Sequence, residues 1–183
     1  MPLETLAYDG CVGENHVELD LAAGAQAMGW DILALGLPAA DRAFTRGSFL
    51  QHLHWPGRWL ERGRVAAQDH RLRDSPLGWG GHGVLATLWF AAAGDAPSSP
   101  PTTGRTGAPD AHHALTAGLA AAAQSLLDAE PLAGVTCPHP EVVVMRLLAD
   151  RVEPAFALLR RVRAAWRQQA WGLDDHPPRI WST

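Results

Sequence analysis

Trp30-Asp31-Ile32-Leu33-Ala34-Leu35-Gly36-Leu37-Pro38-Ala39 decides the fold. The run is apolar except for one acid and closes on a glycine and a proline. That is the pattern of a strand buried on one or both faces. Arg58–Arg64, Asp74–Gly78 and Ala86–Phe90 are bounded in the same way and read as further pieces of a sheet. Before the run, Leu3–Asp9 is strand-like and ends on the turn signal Asp9-Gly10. Val17, Leu19 and Leu21 alternate with acids, which marks a half-buried strand over 17–21.

After the run, Phe49, Leu53 and Trp55 share one face of a strand, with Leu50, His52 and His54 on the other. Pro56-Gly57 suits the centre of a type II turn, so Ser48–Trp55 and Arg58–Val65 are expected to form a hairpin. Residues 78–83 read as a glycine-rich loop and Val84–Ala91 as another apolar strand. Composition changes at Gly94, and 94–109 reads as a flexible linker rich in Pro, Ser, Thr and Gly.

Beyond the linker the period changes to that of a helix. Asp110 is the expected N-cap, with Leu115, Leu119, Ala122 and Leu126 at helical spacing. Val142–Leu148 is a β-branched run and reads as one more strand. Asp150-x-x-Glu153 has the form of a capping box for a last helix. Its apolar stripe is Val152, Phe156, Leu159, Val162 and Trp166, and it is expected to end near Gly172. Arg160, Arg161, Arg163 and Arg167 lie mostly off that stripe and read as a solvated face. The fold class is therefore α+β, mainly β, with largely antiparallel sheets and two C-terminal helices packed against them. Its 183 residues make one domain, long enough to bury a core.

A net charge of −4 argues against a nucleic-acid partner. All fifteen basic residues are Arg, which fits a GC-rich genome better than an arginine-specific function. No stretch approaches the roughly 18–20 apolar residues that cross a membrane, and Cys11 and Cys137 follow no secretory leader. The cytoplasm is the expected location.

Catalytic patterns are missing from the sequence. No Gly-x-Ser-x-Gly elbow occurs, and the glycines at 78, 80, 81 and 83 do not match a phosphate-binding loop. His52 and His54 point to one side of a strand and are a candidate metal pair, with Cys137-Pro138-His139 as a further source of ligands. No spacing completes a site, so they read first as surface histidines. His112-His113 is weaker, because neighbours on a helix point apart.

The order of these segments resembles the urease accessory protein D family (UreD, called UreH in some organisms). The resemblance lies in Trp30–Ala39 with Phe44-x-x-Gly47, then Leu60-Glu61-Arg62, Asp74-Ser75-Pro76-Leu77-Gly78, Leu85-Ala86-Thr87-Leu88, Leu148-Ala149-Asp150-Arg151 and Pro177-Pro178-Arg179-Ile180-Trp181. It implies a mostly β fold with two helices and a scaffold that catalyses nothing. That scaffold would bind urease apoprotein and recruit urease accessory proteins F and G, the latter the nickel-carrying GTPase. Nickel would pass through transiently, with no cofactor held tightly.

Acids lining an interior path are the chemical requirement, since Ni²⁺ moves readily between weak oxygen or imidazole ligands. Glu4, Asp31 and Glu61 lie in strand-like segments where burying an acid is costly, and they are the path candidates. For Glu61, pairing with an arginine such as Arg62 is the competing reading. A small metal-dependent hydrolase using His52 and His54, or a non-functional remnant, are the alternatives. Family members begin with a β-rich segment ahead of the point matched by Pro2-Leu3-Glu4-Thr5, so the chain reads as the family's C-terminal portion. Expressed alone, it is expected to be insoluble or to self-associate, with an unpaired edge at Leu3–Tyr8 as the template.

Overall fold

The structure, a computed structural model, describes residues 1–37, 40, 42–94 and 111–182. The expected closing residues Pro38 and Ala39, the N-cap Asp110 and all but the first residue of the expected linker lie outside them. Among the described residues eight strands form two sheets: β1 (Thr5–Ala7), β2 (Val12–Glu18), β3 (Gln26–Leu35), β4 (Ser48–Trp55), β5 (Trp59–Ala66), β6 (Val84–Ala92), β7 (Ala133–His139) and β8 (Val142–Ala149). The larger sheet runs β1-β3-β6-β8-β7 and the smaller β2-β4-β5. Pairing is antiparallel except that β1 lies parallel to β3 and β2 parallel to β4. The helices are α1 (His70–Arg73), α2 (Ala111–Leu127) and α3 (Val152–Trp171), followed by a 3-10 turn at Arg179–Ser182. None of the described helices is long and apolar enough to cross a membrane.

The mainly β architecture expected from the sequence is the one observed, with the five-stranded sheet as its middle layer. On one face Ile32, Leu88, Phe90, Val143 and Met145 pack against Leu119, Leu159, Val162 and Trp166 of α2 and α3. On the other face lies the three-stranded sheet. Period two explains the division: alternate residues of β3, β6 and β8 go to the helices and the residues between them to the second sheet.

The hairpin turns where Pro56-Gly57 places it. Arg58 N donates to Trp55 O at 3.0 Å, and Gly57 has φ +72°, which only glycine adopts at little cost. α3 likewise ends on Gly172 in the left-handed conformation.

Local signals failed at five places. The strand expected over 17–21 is β2 at Val12–Glu18; Val17, Leu19 and Leu21 do face the core, but parallel pairing with β4 stops at Glu18. Asp74–Gly78 is a loop behind the short helix α1, not a strand. The Asp150–Glu153 capping box does not form, because the Asp150 carboxylate is engaged by His82 Nδ1 at 2.7 Å and Arg151 is the N-cap. In α2 the buried positions are Thr116, Leu119, Ala123 and Leu127, one residue round from Leu115, Ala122 and Leu126. On α3, Arg163 is 7% exposed: its guanidinium binds Asp175 at 2.5 Å and stacks on Trp181, whose indole packs against Trp30.

Candidate functional site

Between the two sheets the core is split. Leu33, Leu35, Phe49, Val65 and Trp79 form one apolar cluster, with Leu85 and Leu148 packed against it. Leu53, Trp55, Trp59, Trp89, Val142 and Val144 form another, with Val17 beside it. The positions between these clusters are polar on six strands: Asn15 on β2, Asp31 on β3, Gln51 on β4, Glu61 on β5, Thr87 on β6 and Arg146 on β8. Register aligns all but Glu61, which stands opposite Leu53, one inward position further along β5. Asp31 pairs with Thr87 and Thr87 with Arg146 in the large sheet, and Asn15 pairs with Gln51 in the small one. The result is a polar belt across an otherwise apolar interior.

Asp31 is the centre of the belt and is 5% exposed. Both its oxygens take amide donors from the facing sheet: Asn15 Nδ2 to Oδ1 and Gln51 Nε2 to Oδ2, each at 2.5 Å. Burial, reinforced by the nearby Glu61 charge, raises its carboxyl to about 6, against the lowering effect of the Gln51 hydrogen bond. Thr87 is fully buried, and its hydroxyl has no hydrogen-bond partner among the described residues. Such a group costs stability unless something polar reaches it.

Glu61 crosses to the other sheet. Arg146 Nε donates to its Oε1 at 2.9 Å, and Nη2 donates to Oε2. The arginine partner expected for Glu61 therefore exists, but it is Arg146 and not Arg62. Neighbours on a strand point to opposite faces, so Arg62 projects outward, opposite His52.

A cleft of about 240 Å³ reaches the belt from outside, lined by Gln51, Glu61, Gly63, Leu33, Trp79 and Leu85 among others. Of the three path candidates, Asp31 and Glu61 are brought together. Glu4 is elsewhere, in a separate cleft with Asp150, Arg151 and Glu153 at the start of α3.

His52 and His54 lie on the outward face of the small sheet. There His52 stacks on His16 of β2, ring centroids 4.2 Å apart. Burial, His16, Arg62 and His54 lower the His52 pKa, against Glu18. Cys137 is exposed, its thiol 3.6 Å from Thr116 O, and His139 sits against Glu141. Among the described residues no three or more His, Cys, Asp or Glu side chains are grouped to hold a metal ion.

Sequence reasoning missed Asn15, Gln51, Thr87 and Arg146. A signal was present for three of them. Gln51 interrupts the inward set Phe49, Leu53, Trp55; Thr87 interrupts Leu85, Trp89, Ala91; and Arg146 interrupts Val142, Val144, Leu148. A lone polar residue on the core phase of a strand is the clue.

A family model for the UreD urease accessory protein matches residues 1–182. Relatives named urease accessory protein UreD are 50% identical in Leptothrix cholodnii, 47% in Variovorax paradoxus and 48% in Verminephrobacter eiseniae. In each case the match covers 100% of this chain and 62% of the relative's own length. The chain belongs to the UreD urease accessory protein family.

Proposed function

We propose that this protein is a urease maturation factor that performs no catalysis itself. It acts in the cytoplasm as a scaffold that binds urease apoprotein, recruits accessory proteins F and G, and lets nickel pass toward the urease active site. Family membership supports the maturation role. The observation that carries the finer reading is the polar belt, with two carboxylates, two amides and an unpaired hydroxyl where a sandwich normally packs hydrocarbon.

Oxygen ligands of this kind hold a divalent cation without trapping it, as a thiolate set would. Asp31 and Glu61 would be successive stations, with Gln51 and Asn15 offering their carbonyl oxygens once rotated. Nickel is cargo here, not a resident cofactor.

Co-expression with the urease subunits and the other accessory proteins tests both halves of the reading. The protein is expected to co-purify with urease apoprotein. Asp31→Asn and Glu61→Gln are expected to co-purify equally well but to lower urease activation at limiting nickel by at least about tenfold, the loss of one charged contact worth about 1.4 kcal/mol. Recovery of neither urease nor accessory proteins would overturn the scaffold role. Full activation by both variants would overturn the path.

A further inference from the structure

On one side the belt ends on the Glu61–Arg146 ion pair. Glu61 lines the cleft described above, and Arg146 lines a second cleft with Gly134, Leu132 and Leu148. The two clefts share Trp79 and Leu85, and the Glu61–Arg146 ion pair joins a wall of one to a wall of the other, so it forms part of the partition between them.

Two of the edge strands, β5 and β7, carry glycine at the level of the belt. Gly63 of β5 pairs with Gln51, and Gly134 of β7 pairs with Arg146. A Cβ at either position would meet no atom within 4 Å beyond its chain neighbours, so open space flanks the ion pair on both sheets. The Arg146 side chain is 39% exposed and that of Glu61 only 16%, so the guanidinium is the outer half of the closure.

Charge adds a second argument. With both acids ionised, Asp31, Glu61 and Arg146 sum to −1, and Asp31 has only neutral amides as partners. The buried Thr87 hydroxyl, without a partner among the described residues, stands in register between Asp31 and Arg146. A divalent cation added beside the intact pair would be repelled by the guanidinium's positive charge. With the guanidinium swung outward, the same cation meets two carboxylates and a hydroxyl and balances their charge.

We propose that the Glu61–Arg146 pair is a cation-operated gate: a divalent cation takes Glu61 in exchange for the Arg146 guanidinium, and the pair re-forms once the cation has moved on to Asp31. The inference rests on the reading of the belt as a cation path and adds how that path is opened. Arginine suits the task because its fork seals both carboxylate oxygens at once and its charge never titrates away.

The test is calorimetric titration of the purified protein with NiCl₂, comparing the parent with Arg146→Lys, Arg146→Met, Glu61→Gln and Asp31→Asn, each checked for folding by circular dichroism. Histidine sites on the outer face are common to all five and cancel in the comparison. One class of Ni²⁺ site is expected to tighten from parent to Arg146→Lys to Arg146→Met, by about tenfold or more overall as the competing charge is removed. That class should disappear in Glu61→Gln. Should Arg146→Met fail to fold, Arg146→Lys alone decides the order, since it keeps the charge but loses the fork. Equal affinity in parent and Arg146 variants, with binding abolished by Asp31→Asn, would overturn the gate and leave the path standing. Absence of any class that distinguishes the parent from Glu61→Gln would overturn both.

Discussion

Asp31 shows at the scale of one residue how function and stability oppose each other. Its carboxyl titrates near 6 in the folded protein, against 3.8 ordinarily, because burial and the Glu61 charge penalise the ionised form. The folded state therefore holds this proton more tightly than the unfolded chain. The favourable contribution is present below about pH 4 and is lost as pH rises through 6. Above 6 the ionised group costs roughly 2–3 kcal/mol. Asparagine has the same shape without the charge, and Asn15 or Gln51 can turn a carbonyl toward its N–H₂. Asp31→Asn is expected to melt above the parent at pH 7.5, with the gap closing as pH falls to 4. Thermal melts across that range check it, and a gap independent of pH would show that charge is not what makes Asp31 costly. A variant more stable yet less competent in activation marks a residue kept for its chemistry.

At the scale of elements, the two long helices cover one face of the large sheet, and their burial follows tertiary contact more than their own periodicity. In α2 the centre of contact falls on Leu119, Ala123 and Leu127, because Trp166 of α3 presses from the side and donates its indole N–H to Leu119 O at 2.8 Å. That one-residue rotation is measurable. Leu127 is 3% exposed within the core, so Leu127→Ala should cost about 2–5 kcal/mol in chemical denaturation. Leu126→Ala, at a partly buried neighbour, should cost less than half as much. Equal costs would return the stripe to the position that simple spacing predicts. The same comparison explains Arg163: it lies beside the apolar stripe, and the chain after Gly172 folds back over it through Asp175 and Trp181.

For the whole molecule, three layers share one central sheet. β3, β6 and β8 are covered on both faces, by helices and by the small sheet, whereas β2 and β5 are the edges of a sheet covered on one. Opening the molecule to water must therefore begin outside the central strands. Native-state hydrogen exchange is expected to find the slowest amides in Ile32–Ala34, Ala86–Phe90 and Val143–Met145, and faster exchange along β2 and β5. Protection highest in the small sheet would contradict this order of layers. The arrangement also suits a path, because the belt lies between the rigid sheet and the more easily opened one.

The sequence by itself determined what depends on near neighbours. Alternation identified the inward face of β4, Pro56-Gly57 turned the hairpin, and Gly172 stopped α3, since each is set by dihedral preference or period within a few residues. It also marked Asp31 and Glu61, because an acid inside an apolar strand is unusual wherever the strand goes. It did not reveal β7, whose Gly134 and Pro138 suit an edge strand with a register shift but break the usual pattern. Only the tertiary structure decided that Asp31, Thr87 and Arg146 share one level of the large sheet and Asn15 and Gln51 one level of the small sheet, and that Glu61 meets an arginine 85 residues away. Period two says which face a side chain takes. The level at which it meets the next strand is register, set by pairing and packing across the whole chain, and no local pattern contains it.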